Sequence, residues 1–304
     1  MSAKFTGDEI LYATNGRIVS GGIGIGAGRV SWELEDIGEG DWFVAIPRGS
    51  EDAHDRLSVA FEQGARGCIV NRQSRYSFTH EAGTLIAVAD TKVATLELVR
   101  YWRHAVNPKV IVVVATVGRR AIVNMLESLL KDAYRCHTAF ERDGLSCVSD
   151  VLEMPEDTEL LIAEVSGIER GDVARIGSCL VPDLAIIGKT QHPLPSVERD
   201  AKTAALHCEI LDTLRDYEGV AAVVYDESTA VKERAQQMLY GLRSVSFSQM
   251  PVTPIGFVES AHGLLKDVNL DNGQSPTEVD VWCALKGAQA LGISLDGKIN
   301  LRRS

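Results

Sequence analysis

Short apolar runs alternate along this chain with longer stretches in which apolar residues recur at helical spacing. The clearest run is Val110 to Val114, β-branched aliphatics without a break, which predict a buried parallel strand. A short loop, Ala115 to Gly118, follows it, and Arg119 to Leu130 then gathers its apolar residues on one face of a helix. Downstream, the pattern predicts strands over Leu160 to Glu164, Leu184 to Ile187, Val220 to Val224 and Ser244 to Phe247. Helices are predicted over Asp172 to Cys179, Lys202 to Leu214, Thr229 to Leu239 and Val281 to Leu291. Such alternation describes an α/β fold with a doubly wound, mostly parallel sheet. Functional groups then belong at the carboxyl ends of the strands, at Ala115 to Arg120, Glu164 and Gly188 to His192.

Upstream the elements are smaller. Phe5 to Thr14 reads as a helix capped by Thr6, Asn15-Gly16 as a turn and Arg17 to Val19 as a strand. The glycine run Gly21 to Gly28 is reminiscent of a dinucleotide fingerprint, but that motif needs a helix after it, and Arg29 to Trp32 reads as a strand. A flexible hairpin is the expectation. A strand ending at Ile46 follows, then a helix from Ala53-His54-Asp55 to about Gln63. Strands at Cys68 to Asn71 and Leu85 to Val88 and a helix over Thr91 to His104 complete a small α/β domain. Asn107-Pro108 breaks the last helix. Two domains are expected, residues 1–106 and 107–304.

Composition adds exclusions. The 304 residues are 24% charged and 45% hydrophobic, which is ordinary for a folded domain. A net charge of −11 disfavours nucleic acid and anionic membrane as general partners. Charged or glycine residues interrupt every apolar run, and the first ten residues lack an apolar signal core, so a cytoplasmic protein is expected. Six cysteines without a C-x-x-C pair read as free thiols in a reducing compartment.

Strand, short loop and helix is the frame of a phosphate-binding loop, in which backbone N–H groups and the helix N-terminus hold an anion. The side chains of that loop are largely missing. A working version places Gly for backbone approach, Lys for the terminal phosphates and Ser or Thr for Mg²⁺, whereas this chain offers Ala115-Thr116-Val117-Gly118-Arg119-Arg120.

Four stretches carry a likeness to a known family. They are Gly40-Asp-Trp-Phe-Val-Ala-Ile46 with His54-Asp55; Asn107-Pro-Lys-Val-Ile111 through Met125-Leu126; Leu152-Glu-Met-Pro-Glu-Asp-Thr158 with Glu164, Gly171 to Arg175 and Pro182 to Ala185; and Ala284-Leu285 with Ala290 to Leu295. In order and spacing they resemble the Mur ligases, the MurF branch most closely. That resemblance implies a UDP-substrate domain, an ATPase domain and a third domain that brings the incoming amine. It also implies ATP-driven joining of an amino acid or peptide to a UDP-linked muramyl precursor through an acyl phosphate. The chain ends at Ser304, where the third domain is expected to begin.

The departures from the family pattern fall on the chemistry. Arg119 replaces the loop lysine, and Arg120 puts a cation where a hydroxyl meets Mg²⁺. Ala139 to Gly144 replaces G-N-x-N-N-E, Gly188 to His192 replaces the T-N segment with its His, and Tyr225-Asp-Glu-Ser228 replaces the adenine-side N-x-D-D. The lysine that the family carbamoylates falls at His207, and Glu33-Leu-Glu35 stands at the uridine-side D-S-R. Glu164, Gly118 and His54-Asp55 remain.

The candidate site is therefore a remnant anion- or nucleotide-binding loop, Thr116, Gly118, Arg119 and Arg120. Glu164, His192 and His207 are the candidate cation ligands, in a spacing that fits no common metal pattern. Arg119 and Arg120 are expected to be solvated, or else to meet an anion or acidic partner, and His54-Asp55 to start a helix rather than form a catalytic dyad. No catalytic residue and no resident cofactor are expected, with weak ATP or anion binding allowed. The favoured reading is a MurF-like pseudoenzyme that binds or scaffolds a protein partner, or associates with itself, beside cell-wall precursor enzymes. Two readings compete with it: an ATP-dependent acid–amino-acid ligase with a rearranged site and a partner-supplied third domain, and a small-molecule binder using the retained cleft.

Overall fold

The computed structural model describes residues 2–47, 52–73, 83–142, 144–188, 197–215, 220–222, 231, 233 and 278–290. The chain divides into two compact units, Met1–Val106 with Val151–Glu156, and Asn107–Asp150 with Asp157–Ser304. The short return of Val151–Glu156 to the first unit is absent from the linear division at Asn107-Pro108.

The first unit contains α1 (Gly7–Thr14), β1 (Arg17–Ser20), β2 (Val30–Ser31), β3 (Trp42–Val44), α2 (Leu57–Glu62), β4 (Gly67–Asn71), β5 (Thr84–Val88) and α3 (Thr91–Val106). Thr6 caps α1 in a reciprocal box with Glu9, and Asn15 ends the helix in the left-handed region at φ 50°. The sheet order is β1-β5-β4-β3-β2, parallel except for β1.

That order corrects the hairpin expected at the glycine run. β1 and β2 do not pair; they lie on opposite edges, and Gly21 to Gly28 carries the chain from one edge to the other. The crossing is tied down. Thr84 Oγ1 donates to the Gly22 carbonyl, the Arg66 guanidinium donates to the carbonyls of Gly26 and Gly40, and Gly28 exchanges backbone hydrogen bonds with Phe5. Glycine is needed at 28 because a Cβ there would lie 1.9 Å from the Gly40 carbonyl oxygen. Composition alone does not separate a tight hairpin from a pinned crossing, because glycine permits both.

His54 is structural. It lies in a 3-10 turn, Ala53–Arg56, that precedes α2. Its Nε2 accepts from the Asn71 backbone N–H at 2.9 Å, while Nδ1 is paired with Asp52, not with the adjacent Asp55. The backbone and ring N–H groups of His54 hold the Asp52 carboxyl below its ordinary range.

The second unit contains β6 (Lys109–Val114), α4 (Arg119–Leu130), β7 (Cys136–Ala139), α5 (Ser146–Leu152, whose last two residues count with the first unit), β8 (Leu160–Val165), α6 (Asp172–Leu180), β9 (Leu184–Ile187), α7 (Val197–Cys208), β10 (Val220–Ala222) and α8 (Glu278–Ala290). The sheet order is β10-β9-β6-β8-β7, with every pair parallel. β6 is the central strand, which explains its unbroken β-branched run. β7 and α5 escape the sequence pattern, since Cys136-His-Thr-Ala139 is short and only half apolar. The helix expected over Lys202 to Leu214 runs instead from Val197 to Cys208 and tightens into a 3-10 turn, Glu209–Thr213. The helix expected over Thr229 to Leu239 and the strand over Ser244 to Phe247 lie largely outside the described residues, as does His192.

One apolar cluster unites this unit. Ile122, Met125 and Leu126 of α4 pack with Ile111, Ile162 and Ile186 of the sheet and with Val281, Ala284 and Leu285 of α8. All six cysteines are free, five of them buried. No described helix is long and apolar enough to cross a membrane.

Candidate functional site

The candidate loop leaves the carboxyl end of β6. Val110 to Val114 are fully buried, so the strand delivers Ala115 to a fixed place at the edge of the sheet. Gly118 then turns the chain into α4 at φ 81°, a left-handed conformation that disfavours any side chain. The frame of a phosphate loop is intact.

The side chains at that frame turn inward. Arg119 Nε donates to Glu164 Oε1 at 2.9 Å, and its Nη1 donates to the Ala115 carbonyl at 2.6 Å. Arg120 Nε reaches Glu164 Oε2 at 3.4 Å, and its guanidinium lies 4.3 Å from the centre of the Phe140 ring. Glu164, on β8 in register with Val113 of β6, is only 4% exposed. The arginines are therefore not simply solvated: the Nε of each meets the same internal carboxylate. Two cations at a helix N-terminus oppose the helix dipole, and Glu164 offsets that cost.

Asp280 is the residue that the sequence reading missed. It sits on α8, is 3% exposed, and its Oδ1 would lie 2.1 Å from a Cβ built on Gly118. A single acid flanked by Val279 and Val281 was the available signal, but its neighbour in space is more than 150 positions away, as the numbers 118 and 280 show.

His207, on α7, is buried, and its Nδ1 has no hydrogen-bond partner. Burial lowers its pKa from 6.5 to about 4, with the Arg119 charge pushing the same way. The folded chain keeps the ring neutral where the unfolded chain takes up a proton near 6.5. Between those values the unfolded state binds more protons, so stability should be complete above about pH 6.5 and fall as pH drops toward 4. Urea denaturation across this range should show a flatter pH profile for His207→Gln than for the wild type. Parallel profiles would remove His207 as the source.

Several other polar groups of this edge also pair within the chain. Glu141 accepts from the Gly144 N–H, and Arg142 holds Asp150 through both Nη groups at 2.8 and 3.3 Å. Glu209 accepts from the Gly171 N–H at the start of α6. No group of three His, Cys, Asp or Glu placed to hold a metal ion occurs among the described residues. Thr116 is half-buried and Val117 exposed, so the loop itself supplies no carboxylate.

A parallel five-stranded sheet with a phosphate-type loop on its central strand is accompanied by a small, mostly parallel five-stranded unit, and comparison with known proteins finds the same fold in Mur ligases. The structure is similar to a crystal structure of MurF from Acinetobacter baumannii, with a TM-score of 0.77 at 18% identity, covering 98% of this chain and 67% of that one. It is also similar to the MurF ligase of Thermotoga maritima crystallised with ADP, with a TM-score of 0.60 at 19% identity, covering 69% of this chain and 48% of that one. In sequence it is similar to the UDP-N-acetylmuramoyl-tripeptide–D-alanyl-D-alanine ligase of Rickettsia prowazekii, 25% identical over 168 residues, or 54% of this chain and 36% of that protein. The same enzyme of Bacillus subtilis is 24% identical over 188 residues, covering 61% of this chain and 40% of its own length. The matched stretches thus span well under half of these curated relatives. No family model matches the chain. The chain is Mur-ligase-like in fold and MurF-like in sequence, as the motifs implied.

Glu164, the acid beside the loop, is ion-paired twice, to Arg119 and to Arg120, and His207 stands where the family resemblance would place its carbamoylated lysine.

Proposed function

We propose that this protein is a MurF-like pseudoenzyme: a non-catalytic, cytoplasmic binding or scaffolding partner of peptidoglycan-precursor enzymes. Its first unit is the counterpart of the UDP-substrate domain and its second that of the ATPase domain. The observation that carries this reading is the double ion pair of Glu164 with Arg119 and Arg120. A carboxylate that already neutralises two guanidinium groups has little capacity left for Mg²⁺, and Arg120 adds a repulsive charge beside it. Without the metal, the fold retains shape and surface but lacks the means to activate a γ-phosphate.

The reading has two checks. Purified protein should release no phosphate from ATP above the rate of a Glu164→Ala control, with or without Mg²⁺. Capture from native cell extract, read by mass spectrometry, should enrich cell-wall precursor enzymes or a second copy of this chain. Magnesium-dependent turnover that Glu164→Ala abolishes would replace this proposal with an ATP-dependent ligase whose site is rearranged.

A further inference from the structure

We propose that Asp280 is a built-in occupant of the phosphate seat, an autoinhibitory carboxylate that α8 holds against the Gly118 turn and that shuts the remnant loop to external anions. The inference rests on the reading that the site does not use Mg·ATP, and adds how the loop is kept closed. Its basis is geometric. A Cβ at Gly118 would meet Asp280 Oδ1 at 2.1 Å, Cγ at 2.7 Å and Oδ2 at 3.0 Å, so the whole carboxylate lies over the backbone that opens α4. Only glycine leaves room for that approach. The carboxylate is 3% exposed and is no chance surface contact. Its place is set by the core, because the adjacent Val281, with Ala284 and Leu285, packs in the same cluster as Ile122, Met125 and Leu126 of α4.

The electrostatics follow from the same residues. A helix N-terminus with Arg119 and Arg120 beside it attracts negative charge. Glu164 meets the arginines from β8, and Asp280 covers the turn from α8. Both anions belong to the chain, so they lose no translational freedom on binding, unlike a phosphate arriving from solution. An external phosphate also meets a like charge in a site from which water is largely excluded. Side chains of the chain itself thus meet both features of the loop: Glu164 holds the guanidinium groups, and Asp280 covers the turn that opens α4.

The test uses the full chain and sodium tripolyphosphate without metal, followed by calorimetry and thermal shift. Wild type should show no saturable binding into the millimolar range. Asp280→Asn and Asp280→Ala should each gain at least about tenfold in affinity, because removing one unit charge at contact distance changes the interaction by more than the 1.4 kcal/mol that a factor of ten represents. Asp280→Ser, smaller and uncharged, is a further way to clear the seat if neither of these variants folds, and should also raise tripolyphosphate affinity. Folded variants with no gain, or a wild type that binds tripolyphosphate as tightly as they do, would overturn the inference. Mg·ATP binding by the wild type would instead overturn the pseudoenzyme reading, so the two failures are distinguishable.

Discussion

Glu164→Ala should lower the melting temperature of this protein by roughly 5–10 °C. The carboxylate is 4% exposed and accepts from both Arg119 and Arg120. Removing one partner of a buried ion pair costs about 3–5 kcal/mol, because the remaining charge keeps its desolvation penalty. The arginine side chains are 23% and 31% exposed, so water recovers part of that cost. A loss of about 2–3 kcal/mol is expected, at roughly 2–4 °C per kcal/mol for a unit of this size. Arg119→Leu with Arg120→Leu should make the Glu164→Ala change nearly neutral, since the three groups form one network and their effects do not add. Thermal denaturation of the three variants reads this directly. A carboxylate kept for a metal would behave in the opposite way: its removal would leave the metal-free protein unchanged or more stable.

The second large effect is a gain. Ala115→Gly, Arg119→Lys and Arg120→Thr together restore the residue types of a working loop. At about 4 Å and an effective dielectric of ~20, each pair of like unit charges costs roughly 4 kcal/mol, and a divalent ion doubles it. Screening reduces the figure, but a few kcal/mol remain, equivalent to at least about a hundredfold in affinity. The triple variant also removes one of the two guanidinium partners of Glu164 and exchanges the other for an ammonium. Asp280 still covers the Gly118 turn, so the full gain should require Asp280→Asn as well. Calorimetry should therefore rank Mg·ATP affinity as wild type, then triple variant, then quadruple variant, with magnesium dependence appearing only in the last two. Equal weak binding in all three would mean that the loop residues are not what excludes the nucleotide.

The frame of the site was legible because it rests on local signals. The run Val110 to Val114 and the one-sided helix Arg119 to Leu130 match β6 and α4 nearly residue for residue. Buried central strands and amphipathic helices are written in short stretches of sequence. The Mur-ligase likeness was legible for a related reason: its motifs mark the ends of those same elements. What the arginines do was not legible. The expectation was solvated side chains, or else contact with an anion or acidic partner, and both turn to Glu164, some 45 positions away. Asp280 over Gly118 and Phe140 beneath Arg120 are likewise contacts made by the fold. The glycine run shows the same limit in the first unit. Its residues specify backbone freedom, while the sheet order specifies what that freedom is used for. A hydrophobic period states which face is buried; it does not state which distant charge a polar side chain will find there.

Titration of the unmodified protein with ATP, in the presence and absence of Mg²⁺, tests the central claim most directly. Two arginines on Glu164 and a carboxylate over Gly118 predict no saturable Mg·ATP binding and no enhancement by magnesium. Micromolar binding that magnesium strengthens, and that Glu164→Ala abolishes, would contradict it.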